Sequence, residues 1–584
     1  MVQKHMCFDF PLVQSSACGY SQFAAAYFLP QQELYWLQSI LRCKKFTTSR
    51  PSKSGRYSVP TRGWMGSGDV TGVEVSLPQM GYTSGPHGVK KTLREQYPSS
   101  FLVVGAHTDC IAGAGVDPQR SAVLIDMLIV AMGIPGSVQR YEEVLRFFKA
   151  VIVKRMVGGI LALLFDEPEA VPVAKLHEQR LRDERRVAPA TAAKRGRSSA
   201  AAAAAAEQAL SITVPCSEDV RLRTGHGMSA QEAYSSNFTM LDLEQAADCH
   251  VFVRNRALRY RFFDFAIASL MEDESNDGLR KIAEQRKCVL IIDGVDTDHT
   301  LGTRAPTIKC YGCIDDAMLP LFIRSGDPIG EADVKMRDID ARVRRYFCSP
   351  CTAGTEQTPA VVLWDTVDTD ELGILVLYME RLHAEACKNG VGSQHVSSFL
   401  FMKEHRGAGT PVEEGARYLL VNPTQLRDEL LQDVRARHGT NTLSTPASRI
   451  AALQLVVGAF ALGGCDFVHW EERKAAFKGR LLVRAAIQYA ATDSLCSDDQ
   501  PPGDIDSKST PSDRMLEALR GVCTEAAGLA KESGRNGAKH GVILRNVKKK
   551  DTCLCNAAWA VRYWDDRKPH EDFAAKWGFH ASLD

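Results

Sequence analysis

Aspartate closes four short apolar runs in this chain: SAVLID at Asp126, GILALLFD at Asp166, KCVLIID at Asp293 and AVVLWD at Asp365. The last is followed by Asp368 and Asp370, and a longer apolar stretch, ALQLVVGAFALGGCD, ends on Asp466. In an open parallel sheet the carboxyl ends of the strands line the ligand crevice. Asp126, Asp166 and the Asp365/Asp368/Asp370 group are therefore expected at one edge, with Asp466 joining from a helix end. Carboxylates gathered there raise one another's pKa and cannot all stay ionised without cations between them. Hard divalent ions with oxygen ligands remove that repulsion, Mg²⁺ or Mn²⁺ best matching an all-carboxylate set. Two such ions about 3.5–4 Å apart activate a water and stabilise the leaving oxygen of a phosphodiester. An Asp after a strand is also a common turn residue or helix N-cap. That reading competes for each residue singly, and Asp293, in IIDGVD, is read as a turn. Four or more at the same end of strand-like runs favour a site.

Such a site needs a scaffold that brings distant segments together. The runs Ser121–Asp126, Gly159–Asp166, Lys287–Asp293 and Ala360–Asp365 are short, continuous and rich in branched residues. That pattern suits strands buried on both faces of a parallel sheet. Longer amphipathic stretches, such as Gln139–Arg155 and Asp333–Arg345, separate them and read as helices. The alternation predicts an α/β fold, a doubly wound and mostly parallel central sheet flanked by helices.

The organisation expected is an N-terminal extension over 1–79, a first part of the core over 80–186 and an insert over 187–284. A second core part then covers 285–480, a linker 481–515 and a helical C-terminal region 516–584. The extension carries the basic, Ser-rich Leu41–Arg56, which fits a targeting segment or a plain extension alike. The insert contains KRGR and an unbroken Ala200–Ala206 run. KRGR points to a nucleus, and the N-terminal stretch leaves an organelle open.

With 584 residues the chain is long enough for a large core plus appendages. Lys+Arg 71 against Asp+Glu 70 excludes a histone-like chain but not a local basic groove. The longest apolar runs are interrupted at Lys154–Arg155 and Gly463–Gly464, so no membrane span is expected. Seventeen cysteines, an odd number, fit reduced intracellular thiols better than a disulfide scaffold.

Six segments, in order, resemble the flap-endonuclease/XPG and 5′→3′ exoribonuclease superfamily, whose nuclease core is PIN-like. MGYTSGPHGVKKTLREQYPSSF (Met80–Phe101) is similar to the family's N-terminal segment, and SAVLID to the run ending in its first metal-binding Asp, here Asp126. GILALLFDEPEAVPVAKLHEQR resembles the Phe-Asp-Gly-x-x-Pro-x-x-Lys motif, which implies a metal carboxylate at Asp166 and phosphate contacts at Lys175 and Arg180. GEADVK resembles a Gly-Glu-x-Glu-x-Lys helix start and implies Glu331 and Asp333. DTVDTDELGILVL resembles the Asp-x-Asp element and implies Asp368 and Asp370, and LGGCDF implies Asp466. The chain departs from the family at Glu167, where a Gly is usual, and at Asp333. Downstream of Asp466 it lacks the Gly-x-Gly hairpin that grips duplex DNA.

Other features carry less. The pairs Cys310/Cys313 and Cys348/Cys351 have zinc-like internal spacing, but the 34 residues between them include the GEAD segment. KHGVILRNVKKK (Lys539–Lys550) suits a nucleic-acid backbone or a solvated face. Trp559, Tyr563 and Trp564 fall at helical spacing, which favours packing over base stacking. LVVGAHTD (Leu102–Asp109) lies beside the first strand, and fits equally a contribution of His107 and Asp109 to the site or a plain hairpin preceding SAVLID.

Together these imply a nuclease using two Mg²⁺ or Mn²⁺ ions on DNA or RNA, single-stranded or branched. The alternative is a non-catalytic nucleic-acid-binding or scaffold protein on the same fold. A nucleotide-binding enzyme is disfavoured, since no Walker-A motif and no glycine fingerprint follows a strand.

Overall fold

The computed structural model describes residues 89–104, 111, 116–167, 212–213, 221–222, 240–246, 248–254, 256–272, 278–295, 308–312, 319–322, 329–348, 359–366, 370–389, 395–403, 418–438, 443–465, 476–490, 511–532, 534, 541, 545 and 551–566. Ten strands occur among them: β1 Phe101–Val104, β2 Ser121–Asp126, β3 Ile160–Leu164, β4 Ile212–Thr213, β5 Arg221–Leu222, β6 Val289–Asp293, β7 Ile308–Tyr311, β8 Ala360–Thr366, β9 Val396–Lys403 and β10 Tyr418–Val421. β4 and β5 pair only with each other; the other eight form one sheet in the order β1-β10-β9-β8-β2-β3-β6-β7. Its five central strands, β9-β8-β2-β3-β6, are mutually parallel. β7 at one edge and β10 and β1 at the other run antiparallel to their neighbours.

Strand alternation sorts the core into two layers, because successive side chains leave opposite faces of a sheet. Ala122, Leu124, Ala162, Leu164, Ile291, Val362 and Trp364 pack on one side. There they meet helices Ala332–Cys348, Asp370–Asn389, Pro446–Gly464, Ala476–Tyr489, Pro511–Glu532 and Asp551–Asp566. Val123, Ile125, Leu161, Leu163, Ile292, Val361 and Leu363 pack on the other, against Tyr141–Arg155, Arg256–Glu272 and Leu279–Gln285. Phe148, Phe165, Phe262 and Phe263 form an aromatic seam in that second layer. Part of the 187–284 stretch thus supplies core side chains.

One local expectation differs from what forms. β1 is not in a hairpin with β2: it pairs with β10, Phe101 opposite Val421, three strands away. The four-residue FLVV run is only half-buried along most of its length, as an edge strand is, and its sequence does not say which edge it joins. Pro446–Gly464 is, by length and composition, apolar enough to cross a membrane over its first 18 residues, with mean hydropathy 1.4. A helix apolar all round is equally suited to a core, and Leu453, Leu455, Val456, Val457, Ala461 and Leu462 are buried within this one. Thr445 caps it through the Ser448 N–H at 3.1 Å, with Pro446 opening the first turn. Trp559, Tyr563 and Trp564 are all buried, and the first two stack at 5.0 Å.

Candidate metal centre

β2 holds the middle of the winding. β3 and β6 follow on one side of it, and β8 and β9 on the other, so the chain reverses direction between β2 and β8. The crevice outside the carboxyl ends at such a switch point is where open α/β sheets bind ligands. Three carboxylates meet there. Asp126 is the last residue of β2, Asp333 the second residue of Ala332–Cys348, and Glu371 the second residue of Asp370–Asn389. One oxygen from each lies within 4.8 Å of the others. Asp126 and Glu371 are buried, and Asp333 is half-buried.

Local sequence explains each position. Asp126 accepts the Leu128 N–H at 2.8 Å and caps Met127–Met132, and the same side chain belongs to the triad. Asp333 and Glu371 sit in first helical turns, where unpaired N–H groups and the helix dipole favour negative charge. The Thr366 hydroxyl, at the end of β8, donates to one Glu371 oxygen and fixes that carboxylate from the strand side.

The donor set suits a hard cation. Six-coordinate Mg²⁺ with bonds of 2.0–2.1 Å sets its oxygens about 3–4 Å apart, so three oxygens spread over at most 4.8 Å need only small rotamer changes to share one ion. Among the described residues, no other group of three or more His, Cys, Asp or Glu side chains brings its ligand atoms so close.

The remaining residues expected at the site fall as follows. Asp166 is half-buried and accepts the Ala332 N–H at 3.0 Å, capping the helix that carries Asp333. Glu331 precedes that helix and is fully buried, and Asp370 opens the helix that carries Glu371. Asp166, Glu331 and Asp370 flank the triad without belonging to it. Asp368, Asp466, Lys175, Arg180, His107 and Asp109 lie outside the described residues. Asp365 does not converge with the rest: it follows Val361 and Leu363 onto the second layer, where it is ion-paired with Arg155. Asp293 is more than a turn residue. It is fully buried at the end of β6 and lies 3.2 Å from the Lys335 ammonium.

Glu371 is the residue sequence reasoning missed. Its neighbour Asp370 matched the Asp-x-Asp pattern, yet adjacent helical residues point about 100° apart. The available signal was an acidic pair at a helix start after a strand, DELG. For zinc, Cys310 lies in β7 and Cys348 ends its helix, while Cys313 and Cys351 are outside the described residues. Burial pushes the Cys310 thiol up to about 12.

No family model and no curated protein matches the chain. Function must therefore be argued from the site, since a doubly wound α/β sheet hosts many chemistries.

Proposed function

We propose that this chain is a divalent-metal-dependent nuclease of the 5′-nuclease type, built on a PIN-like core, that hydrolyses phosphodiester bonds of DNA or RNA. The observation that carries the reading is the meeting of Asp126, Asp333 and Glu371 at the switch point, from three segments up to 245 positions apart in the numbering. Asp126, Asp333 and Glu371 hold the first ion. Asp166, Glu331 and Asp370, with Asp368 and Asp466, are the candidates to complete a second position. When bound, such ions lower the pKa of water and neutralise charge on the leaving oxygen. The chain's own part is positional. Asp166 fixes the start of the Asp333 helix through the Ala332 N–H, and Thr366 holds Glu371. Lys175 and Arg180 would neutralise substrate phosphates as the charge develops.

The test uses 5′-labelled single-stranded, flap and duplex oligonucleotides of both sugars, with Mg²⁺ or Mn²⁺. The wild-type chain is expected to cleave at least one class. Asp126→Asn and Glu371→Gln should each lower turnover about 100-fold or more, equivalent to roughly 2.7 kcal/mol of lost stabilisation, while oligonucleotide binding persists. Glu517→Gln, at an exposed ion pair on another helix, should be neutral. Turnover within about twofold of wild type in both site variants would refute the assignment. Tight binding without any cleavage by the wild-type chain would favour the scaffold alternative.

A further inference from the structure

Beside the triad lies a buried charge cluster of a different kind. Lys335 is two residues beyond Asp333 on the same helix, and its side chain is fully buried. Its ammonium lies 3.3 Å from a Glu167 oxygen and 3.2 Å from an Asp293 oxygen. Both acids stand at the carboxyl ends of neighbouring strands, Glu167 after β3 and Asp293 closing β6. The backbone is joined at the same place: Phe165 donates to the Asp293 carbonyl at 2.9 Å, and Glu167 to the Gly330 carbonyl at 2.7 Å. Gly294, at φ +97°, leaves the space the ammonium needs, since a Cβ there would sit 2.6 Å from Nζ.

Strands two apart in a sheet are separated by roughly 10 Å. Asp293, two strands from Asp126, therefore belongs to the same edge. Buried carboxylates at that edge need cations, and two of them already have one supplied by the chain. Resting on the metal reading above, we propose that the Lys335 ammonium is a permanent counter-ion that closes the Glu167/Asp293 end of the crevice to divalent ions. It thereby keeps them on the side of the crevice that carries Asp126, Asp333 and Glu371. Lys335 is a positioning residue in this scheme: it touches neither ion nor substrate, and it sets where ions can bind. The arrangement also accounts for an acid at Glu167, which would otherwise offer a competing carboxylate beside the site.

Mn²⁺ titration of the metal-stripped full chain tests this, with bound ion counted by electron paramagnetic resonance and the thermal midpoint followed in parallel. Lys335→Met keeps the stem and removes the charge. It should bind one Mn²⁺ more than wild type and show a larger Mn²⁺-induced rise in midpoint. The triple variant Lys335→Met/Glu167→Gln/Asp293→Asn removes the acids as well and should return to the wild-type count. If Lys335→Met folds only when Mn²⁺ is added, the proposal is supported in the same way; folding restored by the triple background but not by Mn²⁺ overturns it. It is overturned if Lys335→Met shows the wild-type count and midpoint response, or if it fails to fold and neither Mn²⁺ nor the triple background restores it. Wild-type chain that binds no Mn²⁺ overturns the metal reading together with this inference. Wild-type binding with an unchanged Lys335→Met overturns the inference alone.

Discussion

Asp340 is where the site's scaffold is most exposed to a single substitution. It is fully buried on the helix that carries Asp333. Its carboxylate accepts from Arg344 Nε at 2.6 Å, Trp364 Nε1 at 2.9 Å and the Tyr378 hydroxyl at 3.1 Å, and also from the Ser398 hydroxyl. Those donors come from its own helix, from β8, from the Glu371 helix and from β9. One side chain thus ties together the elements that bear two of the three triad carboxylates. Burial, reinforced by Asp340, raises the Tyr378 pKa and keeps the phenol a neutral donor. Asp340→Asn retains the shape but leaves the Arg344 guanidinium buried without its anion and turns an N–H₂ toward existing donors. Breaking a buried pair from one side costs about 3–5 kcal/mol. Divided by a urea m-value near 3 kcal/mol per M, that lowers the midpoint by roughly 1–1.7 M. Tryptophan fluorescence reads the transition directly, because Trp364 is one of the donors. Glu517→Gln is the control, since an exposed pair is worth about 0–1 kcal/mol and this one is two-thirds exposed at the glutamate. A shift for Asp340→Asn no larger than the control's would refute the reasoning.

Gly294→Ala should destabilise by more than about 1 kcal/mol, since the position has positive φ; there the Cβ also meets the Phe165 carbonyl and the Lys335 ammonium. Calorimetry checks it, and an unchanged midpoint would mean that the loop adapts freely. His383 has its pKa lowered by burial first and then by the Arg427 guanidinium, with Glu380 pulling the other way. The unfolded chain therefore takes up a proton near pH 6.5 that the folded chain resists. His383 thus contributes stability at neutral pH that is lost as the pH falls below that point, and His383→Gln should flatten the slope of midpoint against pH. Burial raises the Cys249 and Cys288 thiols to about 12. At pH 8 peptide mapping after brief alkylation should find both unmodified while exposed Cys387 is labelled; rapid labelling of Cys288 would contradict the packing of β6.

The central strands were legible because burial on both faces leaves a continuous branched run, and SAVLID forms β2 over those same six residues. The antiparallel edge was not. VSSFLFMK mixes polar and apolar residues without clean alternation, and YLLV is four residues long. Pairing β1 with β10 is a contact across more than 300 positions that no local pattern encodes. In the site, strand-ending aspartates were visible, but their facing was not. Asp126 ends β2 and Asp365 is the last but one residue of the adjacent β8, yet Asp365 falls on the second face and is bound to Arg155. Nor could sequence weigh cap against ligand, because Asp126 is a cap already and is placed to be a ligand too. Lys335 closes the GEADVK match without a role of its own there, and only the fold shows it buried between Glu167 and Asp293.

In the proposed site, acidic groups from separate segments share a divalent ion. Crystals of the full chain soaked in Mn²⁺, with anomalous data collected at the manganese edge, test it most directly. A peak is expected at coordination distance from oxygens of Asp126, Asp333 and Glu371, with none between Glu167 and Asp293. A well-ordered crevice with no anomalous density among the first three would contradict it.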